Sequence, residues 1–137
     1  IRNFDMDNRE QIFSNIKTTA THIAMASGAK ADVKINKGYP VTINNPDLTT
    51  QMLPTLKNVA GTDNVLEIPK ITASEDFSFY AQEAPGLFFF LGGTPAGQDP
   101  AKAPYNHSPY FYVDESSFKV GTKALSQLAI DYLAMKK

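Results

Sequence analysis

The sequence predicts an α/β fold in which helices cover both faces of a β-sheet. Segments with the apolar spacing of helices alternate with short segments typical of strands. The run Leu87–Leu91 is apolar at every position, as in a strand buried on both faces in the middle of a mostly parallel sheet. Few other segments qualify as its neighbours, so we expect part of this sheet to come from residues upstream of Ile1.

The first block of the chain predicts a strand, a helix and a second strand. Ile1–Phe4 is typical of a short strand. Asp7 with Glu10 three residues later resembles a capping box, and Gly28 is a suitable end for the helix that follows. Apolar and polar residues alternate in Ala31–Ile35, which is the period of a half-buried strand.

A second helix is predicted after a change in composition. Asn45 can cap this helix with Pro46 at its first position, and Gly61 can end it. Pro54 lies inside the helical pattern and predicts a kink. Val65–Ile68 is a further candidate strand.

Two more helices are predicted in the second half of the chain. Ser74 can cap a short helix that runs through Glu83. A long final helix is expected from about Asp114, and Lys136 and Lys137 suit its C-terminal end because cations favour the negative end of the helix dipole.

Composition excludes several classes of function. The chain has 137 residues, 42% hydrophobic and 20% charged, which is typical of an ordinary globular domain. A formal net charge of -1 without a basic stripe gives no indication of a nucleic-acid or membrane partner. The sequence has no cysteine, which excludes disulfides and thiolate metal sites.

Three features are candidates for chemistry, and each also has a purely structural interpretation. His107 can bind a metal as a neutral imidazole, or it can be a loop histidine bonded to nearby backbone. Ser74, Glu75 and Asp76 can form an acid/base group or simply a capped helix start. Arg2 can hold a carboxylate in a bidentate fork, or it can be a solvated residue at a sheet edge.

Six motifs in order carry a resemblance to a known family. They are Ile1–Asp5, Gly38–Pro40, Asn44–Leu48, Ser74–Phe77, Pro85–Gly92 and His107–Pro109. Together they resemble the C-terminal portion of an M20-family metallopeptidase, in the amidohydrolase branch that contains hippurate hydrolases and indole-acetyl-amino-acid hydrolases.

The resemblance implies an architecture and a set of site residues. It implies that residues 1–40 are the C-terminal half of a βαββαβ lid or dimerisation domain. Residues 41–137 would then be the C-terminal part of a catalytic domain with a zinc-peptidase-like mixed sheet. It also implies that His107 is the last ligand of a site for two zinc or other divalent ions, and that Arg2, Ser74 and Glu75 bind substrate.

From this resemblance we expect a fragment of a metal-dependent hydrolase that cleaves the amide bond of N-acyl amino acids or small peptides with metal-activated water. The family's other ligands and its catalytic glutamate lie upstream, so no catalytic residue is assigned and the chain alone is expected to be inactive. The implied partners are the missing N-terminal half and a second copy in a homodimer. The alternative is a stand-alone, non-catalytic binding or dimerisation module. The Asp99–Lys102 loop resembles that of exported bacterial members, and a cytoplasmic location stays open.

Overall fold

A computed structural model describes residues 1–135 of the chain. Its α-helices are α1 (Met6–Ala26), α2 (Pro46–Ala60), α3 (Phe77–Glu83) and α4 (Ser116–Met135), with short 3₁₀ helices at Thr62–Asn64 and Pro100–Lys102. No β-strand is present in these 135 residues. The predicted α/β fold class, with strands in a mixed sheet, is therefore wrong for this structure.

The segments predicted as strands have no ladder of backbone partners. They are Ile1–Phe4, Ala31–Ile35, Val65–Ile68 and Leu87–Leu91. A strand exists only where a neighbouring strand accepts and donates its backbone hydrogen bonds, so apolar spacing alone cannot create one. In the last segment a side chain takes that role: the Asn44 amide donates to the Phe88 carbonyl at 2.8 Å and accepts from the Phe88 N–H at 2.7 Å.

Burial also differs from the prediction of a doubly covered strand. Leu87, Phe88 and Phe89 are half-buried, whereas Phe90 is 55% exposed and Leu91 44% exposed. The C-terminal end of this apolar run is therefore exposed in the structure, and the run is not a central strand of a sheet.

The cap of helix α1 lies two residues earlier than expected. The side chain of Asp5, not Asp7, accepts the N–H of Asn8 at 3.0 Å, and Asp5 has extended backbone angles that suit a cap. The helix ends at Ala26, and Gly28 follows with a φ of +68°, so the prediction that this glycine ends the helix is confirmed.

Helix α2 follows its sequence signals closely. Asn45 accepts the N–H of Leu48 at 2.9 Å, Pro46 is the first helical residue, and Gly61 follows the last turn. Pro54 lies inside the helix, and the predicted kink there stays a prediction. Helix α2 packs against α4, and the buried residues Met52, Thr55 and Ala124 lie on these two helices.

The remaining helices differ from their predicted starts. Helix α3 begins at Phe77 and ends at Glu83, so its predicted end is confirmed while Ser74 is not its cap. Helix α4 begins at Ser116, whose N–H donates to the Asp114 carboxylate at 2.9 Å. Lys136 and Lys137, expected to favour the end of this helix, lie outside the described residues.

The chain divides into two compact units. The first unit comprises Ile1–Ile43 with Pro69–Gly86, and the second comprises Asn44–Ile68 with the described residues from Leu87 onward. Among the residues that the structure describes, no helix is both long enough and apolar enough to cross a membrane.

Candidate functional site

A polar cavity of about 190 Å³ lies within the first unit. Its walls come from the N-terminal residues 1–4, from residues 36–41 and from residues 72–74, together with Arg9 of α1. Three segments that are far apart in the sequence therefore meet at one cavity. Loops held by a scaffold are the usual place for binding residues.

The charge of this cavity is one-sided. Arg2, Arg9 and Lys37 line it, and no aspartate or glutamate is among its lining residues. The Nζ of Lys37 is paired with the Glu10 carboxylate at 2.7 Å, so part of the positive charge is neutralised from outside the cavity. The two arginines still make the cavity suited to an anion.

Arg2 joins the N-terminal segment to the segment that carries Ser74. Its Nη1 donates to the carbonyl of Thr72 at 3.0 Å. Arg2 and Ser74 are exposed and line the same cavity. The structure thus brings together two of the three residues predicted to bind substrate. Glu75 does not line the cavity; its backbone carbonyl accepts the hydroxyl of the buried Ser78 at 2.6 Å.

Arg9 also lines the cavity and is only 5% exposed. Its Nη1 donates to the carbonyl of Tyr39 at 3.0 Å, and its Nη2 donates to the carbonyl of Lys37. The guanidinium lies over the ring of Phe13, 5.4 Å from the ring centre. These contacts fix the residues on either side of Gly38, which has a φ of +60° that favours glycine.

Tyr39 connects the same turn to α3. A hydrogen bond between its hydroxyl and the Asp76 side chain, followed by the negative charge of that carboxylate, raises the pKa of Tyr39. Its ring also contacts the ring of Phe79, with centres 5.6 Å apart. The turn at residues 37–39 is therefore held by α1 on one side and by α3 on the other.

His107 belongs to the second unit and lies in a tight turn. The N–H of Ser108 donates to the carbonyl of Tyr105 at 2.8 Å, which closes a four-residue turn with His107 at its third position. The imidazole is exposed at this position. Such a side chain is available to a ligand, but the turn itself supplies no second histidine or carboxylate.

The donor set for a metal is incomplete in the described part of the chain. Within residues 1–135 no group of three or more histidine, aspartate or glutamate side chains could hold a metal ion. A divalent ion in a hydrolytic site needs several such donors. These residues therefore do not form a metal site by themselves, and the role of His107 as a ligand stays a prediction.

No role of Arg9 was predicted from the sequence. A signal was present: Arg9 lies four residues before Phe13, so an arginine occupies the face of α1 that also carries a buried aromatic ring. A charged residue on a buried helix face requires polar partners. The sequence could not name those partners because they lie 28 and 30 residues away.

A comparison with protein families gives one match that covers most of the chain. The sequence profile described as peptidase family M20/M25/M40 matches residues 4–131. No solved structure matches the chain significantly.

Curated relatives include hydrolases from bacteria, archaea and plants. The chain is 30% identical over 131 residues to "Putative amidohydrolase YhaA" of Bacillus subtilis, with 96% of the chain and 33% of the relative covered. It is 35% identical over 133 residues to "Thermostable carboxypeptidase 2" of Saccharolobus solfataricus, with 96% of the chain and 33% of the relative covered. It is 36% identical over 95 residues to "IAA-amino acid hydrolase ILR1-like 5" of Arabidopsis thaliana, with 69% of the chain and 21% of the relative covered. The chain thus spans about a third of the length of the first two relatives.

Proposed function

The chain belongs to peptidase family M20/M25/M40, and from this membership we propose that the full-length protein hydrolyses the amide bond of N-acyl amino acids or small peptides. The relatives named as an amidohydrolase, a carboxypeptidase and an amino acid hydrolase support this class of reaction. The observation that carries the proposal is the cavity in which Arg2 and Ser74 lie together without a carboxylate among the lining residues.

In this proposal Arg2 recognises the substrate's carboxylate. One terminal nitrogen of its guanidinium is bonded to the carbonyl of Thr72. Within the described residues, no hydrogen bond joins its other terminal nitrogen to the protein, so this nitrogen can donate to a ligand. A charge-assisted bond from arginine to a carboxylate is stronger than a neutral hydrogen bond and also orients the ligand. The Ser74 hydroxyl supplies a second polar group at the same cavity.

The described residues are assigned to substrate binding and not to the bond-breaking step. We propose His107 as a single ligand of the divalent metal ions, zinc or another, that the family resemblance implies. The other ligands would come from the part of the relatives that this chain does not match. The division into a lid portion at residues 1–40 and a catalytic portion at residues 41–137, and a homodimer formed through the lid, belong to the same proposal.

The test of carboxylate recognition uses Arg2→Met in the full-length protein. An N-acyl amino acid and its neutral amide are compared as substrates or ligands, and Lys30→Met serves as an exposed control in the same unit. We expect Arg2→Met to weaken the acid's binding by about 10-fold or more, as for loss of a charged hydrogen bond, and to leave the amide's binding nearly unchanged. Equal affinity of the variant and the native protein for the acid would contradict the proposal.

The same experiment separates catalysis from binding. Turnover of the acid that falls with Arg2→Met supports the hydrolase. Binding of the acid that depends on Arg2, without turnover by the full-length protein loaded with divalent metal, would contradict the hydrolase and favour a non-catalytic binding module.

A further inference from the structure

Arg9 has an unusual charge environment for a buried arginine. It is 5% exposed, and its hydrogen-bond partners are the backbone carbonyls of Lys37 and Tyr39. No salt bridge of Arg9 occurs in the described residues; the neighbouring Glu10 is paired with Lys37 instead. Its Nε is buried without a hydrogen-bond partner. A buried charge without a counter-charge is costly, so its retention beside an anion-suited cavity requires an explanation.

The contacts of Arg9 determine the shape of one cavity wall. Its two terminal nitrogens hold the carbonyls on both sides of Gly38, and Tyr39 extends the same turn to α3. Residues 36–41 form the wall that lies with Arg2 and Ser74 around the cavity. Loss of the Arg9 bonds would release this wall from α1.

The charge of Arg9 acts on the cavity in addition to its bonds. Because Arg9 has no salt bridge in the described residues, its positive charge adds to that of Arg2 at the cavity. An anion bound near Arg2 would in turn supply the counter-charge that Arg9 lacks. The shape of the wall that Arg9 holds and the charge of Arg9 therefore both favour an anion in the cavity.

We propose that Arg9 is a positioning residue for carboxylate recognition: it holds the turn at residues 37–39 in place and strengthens the attraction of the cavity for an anion. This inference rests on the proposed function, in which Arg2 contacts the carboxylate directly. In this inference Arg9 acts through the turn and through its charge, and not as the direct partner of the carboxylate, because each of its terminal nitrogens already donates to a backbone carbonyl.

The experiment measures binding of N-acetylglycine and of its neutral amide to the full-length protein. The variants are Arg9→Met, Arg9→Lys and Arg2→Met, with Lys17→Met as an exposed control on the same helix. We expect Arg9→Met to weaken binding of the acid by about 10-fold while binding of the amide changes less than 2-fold, because an amide has no charge for the cavity to attract. Arg9→Lys keeps the charge but cannot hold both carbonyls, so it should restore part of the affinity.

Two outcomes would overturn the role of Arg9. The first is that Arg9→Met binds the acid with native affinity. The second is that Arg9→Met loses affinity for the acid and for the amide equally, because an equal loss indicates a general structural effect. If Arg9→Met does not fold, binding of the acid is measured with Gly38→Ala instead. This variant strains the same turn, where residue 38 has a φ of +60°, while Arg9 stays in place. Unchanged binding of the acid by Gly38→Ala would then overturn the proposal.

The failure of this inference is distinguishable from that of the proposed function. Weaker binding of the acid by Arg2→Met, with native binding by Arg9→Met, removes only the role of Arg9. Native binding of the acid by Arg2→Met removes the proposed carboxylate site itself, and the role of Arg9 with it.

Discussion

The hydroxyl of Thr55 on α2 donates to a carboxylate oxygen of Asp131 on α4 at 2.5 Å. The other oxygen of Asp131 accepts the side-chain amide of Gln127 at 2.7 Å. Thr55 is only 3% exposed, so this bond satisfies a buried hydroxyl at the contact between the two helices. The bond from Thr55, followed by the bond from Gln127, lowers the pKa of Asp131.

This relationship predicts an acid dependence of stability. The pKa of Asp131 is lower in the folded state than in the unfolded chain, so its contribution is complete above the unfolded value of about 4 and is lost as the pH falls through the lowered folded value. Thr55→Val removes the larger cause of the shift. We expect the variant to be less stable at neutral pH and to lose stability less steeply than the native protein between about pH 5 and pH 2.

Urea unfolding of the native protein, Thr55→Val and the exposed control Thr122→Val at several pH values measures this effect. The control should follow the native curve, because other carboxylates titrate equally in all three proteins. An identical pH slope for Thr55→Val and the native protein would show that the bond does not shift the pKa of Asp131.

The side chain of Asn44 allows a second prediction, in which a variant recovers stability at acid pH instead of losing it. Its amide bonds both backbone groups of Phe88, so Asn44→Ala leaves a donor and an acceptor to be satisfied elsewhere and should cost about 1–3 kcal/mol. Asn44→Asp should be at least as destabilising at neutral pH, because a carboxylate would face the Phe88 carbonyl. At acid pH the protonated side chain can donate again and recover part of the loss. Chemical unfolding at neutral and acid pH checks both variants, and equal stability of Asn44→Asp and native protein at neutral pH would contradict the expectation.

Two glycines predict opposite responses to alanine. A Cβ at Gly93 would lie 2.8 Å from Cγ1 of Val113, a stiff β-branched side chain, so Gly93→Ala should destabilise by about 1–3 kcal/mol. A Cβ at Gly121, inside α4, would lie 2.7 Å from Cδ2 of Leu91, but this side chain is 44% exposed and can rotate away. Gly121→Ala should therefore keep a helix-propensity gain of up to about 1 kcal/mol. Thermal unfolding of the pair gives the comparison, and a more stable Gly93→Ala would refute the steric argument.

Substitution of His107 is expected to lower the metal content of the full-length protein. If His107 is a ligand, His107→Ala should lower the bound metal and reduce hydrolysis by more than about 100-fold, since even the loss of a residue that supports a ligand costs about 10–100-fold. His22→Ala is the matched control because His22 is also exposed and lies on α1. Metal analysis and turnover check the prediction; full metal occupancy with native turnover in His107→Ala would remove His107 from the site.

Much of the helical structure could be predicted because its signals are local. Asn45, Pro46 and Gly61 mark the ends of α2, and each acts on backbone groups within one helical turn. The alternation in Ala31–Ile35 predicted burial only in part, because Val33 and Ile35 are half-buried whereas Ala31 is exposed. It did not make that segment a strand, since burial on alternate sides does not supply a backbone partner.

The candidate site could be predicted only in part. The motifs led to Arg2 and Ser74, which the structure places at one cavity. Glu75 is not among the lining residues, and Arg9 was not predicted although it lines the cavity. Periodicity shows that a residue is on a helix face, but it does not show which distant carbonyl that residue meets.

The sequence by itself determined the family, through motifs that keep their order along the chain, and the ends of several helices, through caps that act over three or four residues. Only the tertiary structure decided the absence of strands in the described residues, the meeting of Arg2, Arg9 and Ser74 at a cavity, and the bond between Thr55 and Asp131. The physical reason is the range of the interactions: a helix closes its hydrogen bonds within the segment, whereas a strand or a binding cavity is completed by residues far away along the chain.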